Sequence, residues 1–317
     1  MQRSRGKNVA RIVNGLIGVA ICVLLAYAIY KYWNEFRVLT TISPSLAIAI
    51  LFFGFVWNTT LALILRAALK SFHVHMGVVE CIGVTYAACF CNIFVPLSNV
   101  GVRGLYLKRV HKLGLNVFAV AMVGPVVIEL FVYAMGGLFA LLVLSHQTEL
   151  TNLLKLFFLV VIAAAIASIF IPSTKLPQWL PFRDRVLAVI GDWKKLFSNG
   201  RVFAEIVVLT IINFAAAAAL YSVAADAAAV PRDGLASTVV AALSEFSYVI
   251  RVTPAGIGTF EGSVAVAGQI VGYTLAQSLV VATLVRLTSV FWYLLLGPLY
   301  WRQLIRPRDD SARVDLA

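Results

Sequence analysis

Long apolar runs separated by short polar loops set the pattern of this chain. Six runs are long enough to cross a bilayer and predict helical spans at about 12–30, 45–65, 117–144, 153–171, 203–225 and 277–301. Two further apolar segments, 78–107 and 235–272, are interrupted midway. The first carries Pro96, Gly101 and Gly104, and the second carries Pro254, Gly256 and Gly258. Each predicts a helix, a break and a second helix rather than one continuous span.

Basic residues decide how those broken segments run. Arg3, Arg5, Lys7 and Arg11 put the N-terminus in the cytoplasm, and two spans later Arg66 and Lys70 are cytoplasmic again. Lys108, Arg109 and Lys112 follow the first broken segment and fit the cytoplasmic side only if that segment enters and returns. The loop 145–152 has no Lys or Arg, whereas 172–201 holds Lys175, Arg183, Arg185, Lys194, Lys195 and Arg201. The basic tail from Arg302 needs one last crossing after the second broken segment, which therefore opens to the outside. The fold expected is an all-α polytopic membrane bundle of about six spans and two inverted re-entrant hairpins. It forms one integral membrane domain over 1–317, with both termini cytoplasmic. Within 172–201, Trp179, Phe182, Val186, Ile190, Trp193 and Phe197 recur every three or four residues beside the basic side chains. That spacing predicts an amphipathic helix lying on an anionic leaflet.

Composition strengthens this picture and removes several function classes. Hydrophobic residues make up 61% and charged residues 13%, too little polar surface for a soluble domain. The net charge of +12 sits in loops between apolar runs rather than in a stripe, so no nucleic-acid partner is expected. Cys22, Cys81, Cys89 and Cys91 lie in apolar segments without CxxC spacing and read as packing residues. His73, His75, His111 and His146 form no HExxH pattern, and no serine or cysteine sits in a nucleophile motif. GIGTFEG is superficially like a phosphate loop, but no strand precedes it. Neither an enzyme nor a cofactor is expected.

Ionisable residues at membrane depth carry the candidate chemistry, because each is costly unless paired or hydrated. Arg103, Glu129, Glu245, Arg251, Glu261 and Arg286 form that set. They could neutralise one another and hold the hairpins, or line a polar cavity in which arginines grip a lipid phosphate through their planar fork. Arg103 and Glu129 on one side, and Glu261 and Arg286 on the other, are acid–base pairs in reversed order, as inverted repeats would produce. The candidate substrate-binding residues are Arg103, Glu129, Arg251, Pro254, Gly256, Gly258, Glu261 and Arg286, and the first break is assigned to Pro96, Gly101 and Gly104.

The stretches NIFVPLSNVGVRGLYLKRVHKLGL before Glu129 and TPAGIGTFEG before Arg286 resemble the two signatures of the lysylphosphatidylglycerol synthase transmembrane-region family, also called flippase-like membrane proteins. Some members carry an arginine directly after the glutamate matching Glu129, where this chain has Leu130. The resemblance implies a multi-pass protein of the bacterial inner membrane that handles an anionic phospholipid or an isoprenoid-linked lipid and moves it between leaflets. Members with aminoacyltransferase activity carry a soluble synthase domain after the membrane region, and none is expected here. A scaffold of an envelope lipid or polysaccharide pathway and a membrane-embedded transferase stay open as alternatives. Partners consistent with them are a second copy of the chain or an envelope-pathway protein.

Overall fold

The computed structural model describes residues 30–31, 37–95, 97–144, 149–169, 183–230, 233–247 and 256–305. Apart from Tyr30, the first expected span lies outside them. The described residues form ten α-helices and no strand: α1 (Pro44–Lys70), α2 (Val78–Phe94), α3 (Ser98–Val110), α4 (Leu115–Val143), α5 (Glu149–Ile169), α6 (Arg183–Ser198), α7 (Gly200–Ala227), α8 (Gly234–Phe246), α9 (Thr259–Ile270) and α10 (Leu275–Ile305). Five of them, α1, α4, α5, α7 and α10, are long and apolar enough to cross a membrane. The protein is a polytopic helical membrane protein.

Local signals set the helix ends. Ser43 caps α1 by accepting from Leu46 N, and Pro44 occupies the first turn, where its missing N–H costs nothing. Asn199 caps α7 through Val202 N, and Asp233 caps α8 through the amides of Leu235 and Ala236. Several spans run beyond their apolar cores. α1 continues to Lys70, whose ammonium pairs with Glu205 of α7 at 2.6 Å, while Arg66 donates to Met76 O at 2.9 Å.

α1 and α7 make the most extensive helix pair. Small buried residues on α7, among them Ala216, Ala217 and Ala224, let the two backbones approach, as is usual where lipid supplies no hydrophobic drive. Polar groups then fasten the seam. Asn213 is fully buried and donates to Trp57 O at 2.8 Å and Thr60 Oγ1 at 2.7 Å, while the Tyr133 hydroxyl of α4 donates to Asn213 Oδ1 at 2.7 Å. Thus one amide ties α1, α4 and α7 together.

The two broken segments are helical hairpins. In the first, the hydroxyl of Tyr106, near the end of α3, donates to Glu80 Oε1 near the start of α2 at 2.6 Å, and His111 Nε2 lies 3.0 Å from the same oxygen. In the second, Ser237 near the start of α8 meets the Tyr273 hydroxyl just past α9 at 3.3 Å. Each pair therefore runs out and back. α2 lies along α10, so closely that a Cβ at Gly297 would stand 2.4 Å from Phe90 Cβ, while α8 packs on α4 and α7.

The first break differs from expectation. Helix α2 ends at Phe94, Val95 is extended, and Leu97 adopts φ 60°, a left-handed conformation costly for a branched side chain. Pro96 lies outside the described residues. Gly101 and Gly104 do not break the chain but lie inside α3. Gly104 is there for packing, since a Cβ would meet Phe118 Cε1 of α4 at 2.9 Å. The second break matches better: Gly256 and Gly258 take φ 68° and 88°, values that favour glycine, and α9 starts at Thr259.

Helix α6 falls in the loop where an amphipathic helix is expected. Its Leu196 is fully buried between α4 and α7 and fits against Gly124, where a Cβ would stand 2.2 Å from Leu196 Cδ2. The helix is docked on the bundle as well as basic on its free face.

Candidate functional site

A cavity of about 570 Å³ lies among the hairpin tips and the spans α1, α4 and α10. Hairpin one contributes Cys89, Asn92, Leu97, Asn99 and Arg103 to its wall, and hairpin two contributes Glu245, Ser247, Gly256 and Phe260. Glu129 faces it from α4, and Arg286, Ser289 and Tyr293 from α10. Residues far apart in sequence are thus brought together because both segments turn back inside the bundle.

Glu261 and Arg286 meet directly. Arg286 Nε stands 2.6 Å from Glu261 Oε1, and the second carboxylate oxygen accepts from Gly258 N at 2.7 Å. Glu261 is the third residue of α9, so its side chain closes back on the helix start and its charge sits at the positive end of the dipole. Arg286 also donates to Gly256 O at 3.3 Å, and its guanidinium carbon lies 5.2 Å from the Phe260 ring centroid. One arginine on α10 and one glutamate on α9 therefore fix the second break from both sides. Glu261 has both oxygens engaged in this clamp, and it does not line the cavity as Arg286 does.

The pairing expected between Arg103 and Glu129 is not formed among the described residues. Both face the cavity, but the Arg103 guanidinium instead reaches Cys89 Sγ at 3.7 Å within its own hairpin, and its Nε is buried without a hydrogen-bond partner among the described residues. Glu129 and Glu245 are both buried in the opposite wall. Leu130, in the position where some family members have arginine, also lines the cavity. Gly101 is exposed on α3, with no atom near the place a Cβ would take. Arg251 and Pro254 lie outside the described residues.

Sequence reasoning missed a neutral polar group in the same wall. Asn58 of α1 donates to Gly54 O at 2.8 Å and Ser289 Oγ at 3.2 Å, and its Oδ1 accepts from the Tyr293 hydroxyl. This network joins α1 to α10 beside Arg286. Its one signal in the sequence is an asparagine inside an otherwise apolar run, since a buried amide in a span needs partners from neighbouring helices.

Long lipid-length helices, two helical hairpins and a cavity between them that holds charged side chains define a class: polytopic membrane proteins with broken helices around a central cavity. The family model for the lysylphosphatidylglycerol synthase TM region matches residues 9–297, nearly the whole chain, and the chain belongs to that family. No curated protein matches it in sequence.

Proposed function

We propose that the protein binds the phosphate-bearing headgroup of an anionic lipid in this cavity and carries it between leaflets of a bacterial inner membrane. The observation that carries the reading is Arg103: a guanidinium with a buried, unpartnered Nε facing a cavity at membrane depth. Such a donor is costly to leave unmatched, and a phosphate oxygen satisfies it with a charge-assisted bond. Asn92 and Asn99 supply neutral polar groups nearby. Arg286, whose charge is compensated by Glu261, lends the far wall N–H donors rather than net charge. In this reading the hairpins are re-entrant from opposite faces and both termini are cytoplasmic, as the loop charges argue. The work is binding and movement rather than catalysis.

The test is a leaflet-resolved assay in proteoliposomes with tagged phosphatidylglycerol, and phosphatidylcholine as the net-neutral comparison. Wild type moves phosphatidylglycerol faster. Arg103→Ala lowers that rate about ten- to a hundredfold, the loss of one hydrogen bond to a charged group, while Arg103→Lys keeps the charge, loses the fork and falls between. A monodisperse Arg103→Ala protein with wild-type transport would sink the proposal and favour a scaffold.

A further inference from the structure

The central cavity opens sideways. Among its lining residues, Leu97 just before α3, Val100 of α3 and Ala119 and Val123 of α4 also lie on the outer surface of the bundle. Leu97 is 62% exposed, Val100 40% and Val123 54%. Helices α3 and α4 pack only lightly and meet closely at Gly104 and Phe118. The four apolar residues lie on the tip side of that contact, where both helices border the cavity. Polarity thus rises with burial: the exposed rim is aliphatic, Asn99 and Arg103 are half-buried, and Glu129 and Glu245 are buried in the inner wall.

That order matches one kind of molecule. A water-soluble solute gains nothing from an aliphatic rim facing hydrocarbon. An amphiphile keeps its chains in lipid throughout and brings only its headgroup inside. We infer that the gap between α3 and α4 is a lateral portal, and that Leu97, Val100, Ala119 and Val123 form a subsite for the glycerol-proximal acyl segments of a phospholipid whose phosphate lies on Arg103. This inference rests on the reading of Arg103 as the headgroup anchor and adds the route and the class of substrate. The cavity of about 570 Å³ falls within the range of small-ligand pockets, about 300–1,000 Å³. It suits a phosphate with a small substituent better than a lipid-linked oligosaccharide.

The experiment uses full-length protein in vesicles containing phosphatidylglycerol with a photoreactive group on the acyl chain close to glycerol. After illumination, adducts are mapped by mass spectrometry. They should concentrate at Leu97, Val100, Ala119 and Val123 rather than on the lipid-facing side of α5, where Val160 is 59% exposed. Val100→Trp and Val123→Trp narrow the portal at surface positions and should reduce both adduct yield and phosphatidylglycerol transport at least tenfold, whereas Val160→Trp should not. An isoprenoid diphosphate bearing an oligosaccharide should not compete. Adducts spread evenly over α5 and the portal, or unchanged labelling in both tryptophan variants, would overturn the portal while leaving any dependence on Arg103 intact. Conversely, portal adducts that survive Arg103→Ala unchanged would keep the route and overturn the headgroup anchor. Competition by the oligosaccharide lipid would overturn the size limit.

Discussion

Glu261→Gln isolates the charge of the clamp at the second break. The glutamine keeps an acceptor for Gly258 N, which Glu261 Oε2 now engages at 2.7 Å, so the helix start stays capped. What it loses is the negative charge 2.6 Å from Arg286 Nε. Removing one partner of a buried pair costs about 3–5 kcal/mol, because the other charge is left uncompensated. Arg286 retains Gly256 O and the Phe260 face, and its side chain is 21% exposed, which points to the lower end of that range. At about 2 °C per kcal/mol, a loss of about 3 kcal/mol lowers the apparent Tm by about 6 °C. Arg286→Gln should cost a similar amount. The double variant Glu261→Gln/Arg286→Gln leaves two neutral amides that can bond to each other and should lose no more than either single variant. That outcome is a coupling of about 3 kcal/mol or more. Size-exclusion chromatography after stepwise heating in detergent reads all four proteins. Strict additivity of the two single losses would refute the argument that the residues act as one buried pair.

Asn213→Leu removes the acceptor of the Tyr133 hydroxyl and should destabilise the protein by about 1–3 kcal/mol, measured by the same heating series. Adding Tyr133→Phe should recover part of the loss, since the stranded hydroxyl is then gone. Gly124→Val forces a side chain into Leu196, 2.2 Å from where the new Cβ would stand, and should lift α6 from α4, seen as faster tryptic cleavage after Lys194 and Lys195. Leu196→Ala in the same chain should restore protection by making room.

Hydropathy made the spans legible because lipid demands long apolar helices, and five of the six expected spans fall on α1, α4, α5, α7 and α10. Their ends were less legible. Glu149 opens α5 and Lys70 closes α1, since a helix continues through polar residues that neighbours or headgroups can satisfy. The hairpins were visible as apolar segments with a central interruption, but glycine was ambiguous within them. Gly256 and Gly258 serve backbone conformation, whereas Gly104 serves the close approach of Phe118, and the two uses look alike in a string of letters. Of the charged pairs, Glu261 and Arg286 were readable because one acid and one base sit at helix positions that face each other across the second break. Arg103 and Glu129 fit the same pattern and do not pair, because Arg103 turns toward Cys89 in its own hairpin. Asn58 and Asn213 were hidden for a different reason. Neutral amides carry no charge to count, and their importance depends wholly on which helices stand beside them.

The fastening of the two breaks has a mechanical consequence. At the second, the hairpin is bonded to α10 through the Glu261–Arg286 ion pair, the bond from Arg286 to Gly256 O and the Phe260 face, so sliding one past the other disrupts all three together. At the first, α3 is bound to α2 at its base by Glu80 and Tyr106 but bears on α4 with little more than a glycine-lined contact. The first hairpin is thus seated on α10 through α2 and only lightly on α4. The two sides of the cavity wall therefore differ in how firmly they are fastened: the α10 side holds both hairpins, and the α3–α4 seam is the loosely closed one.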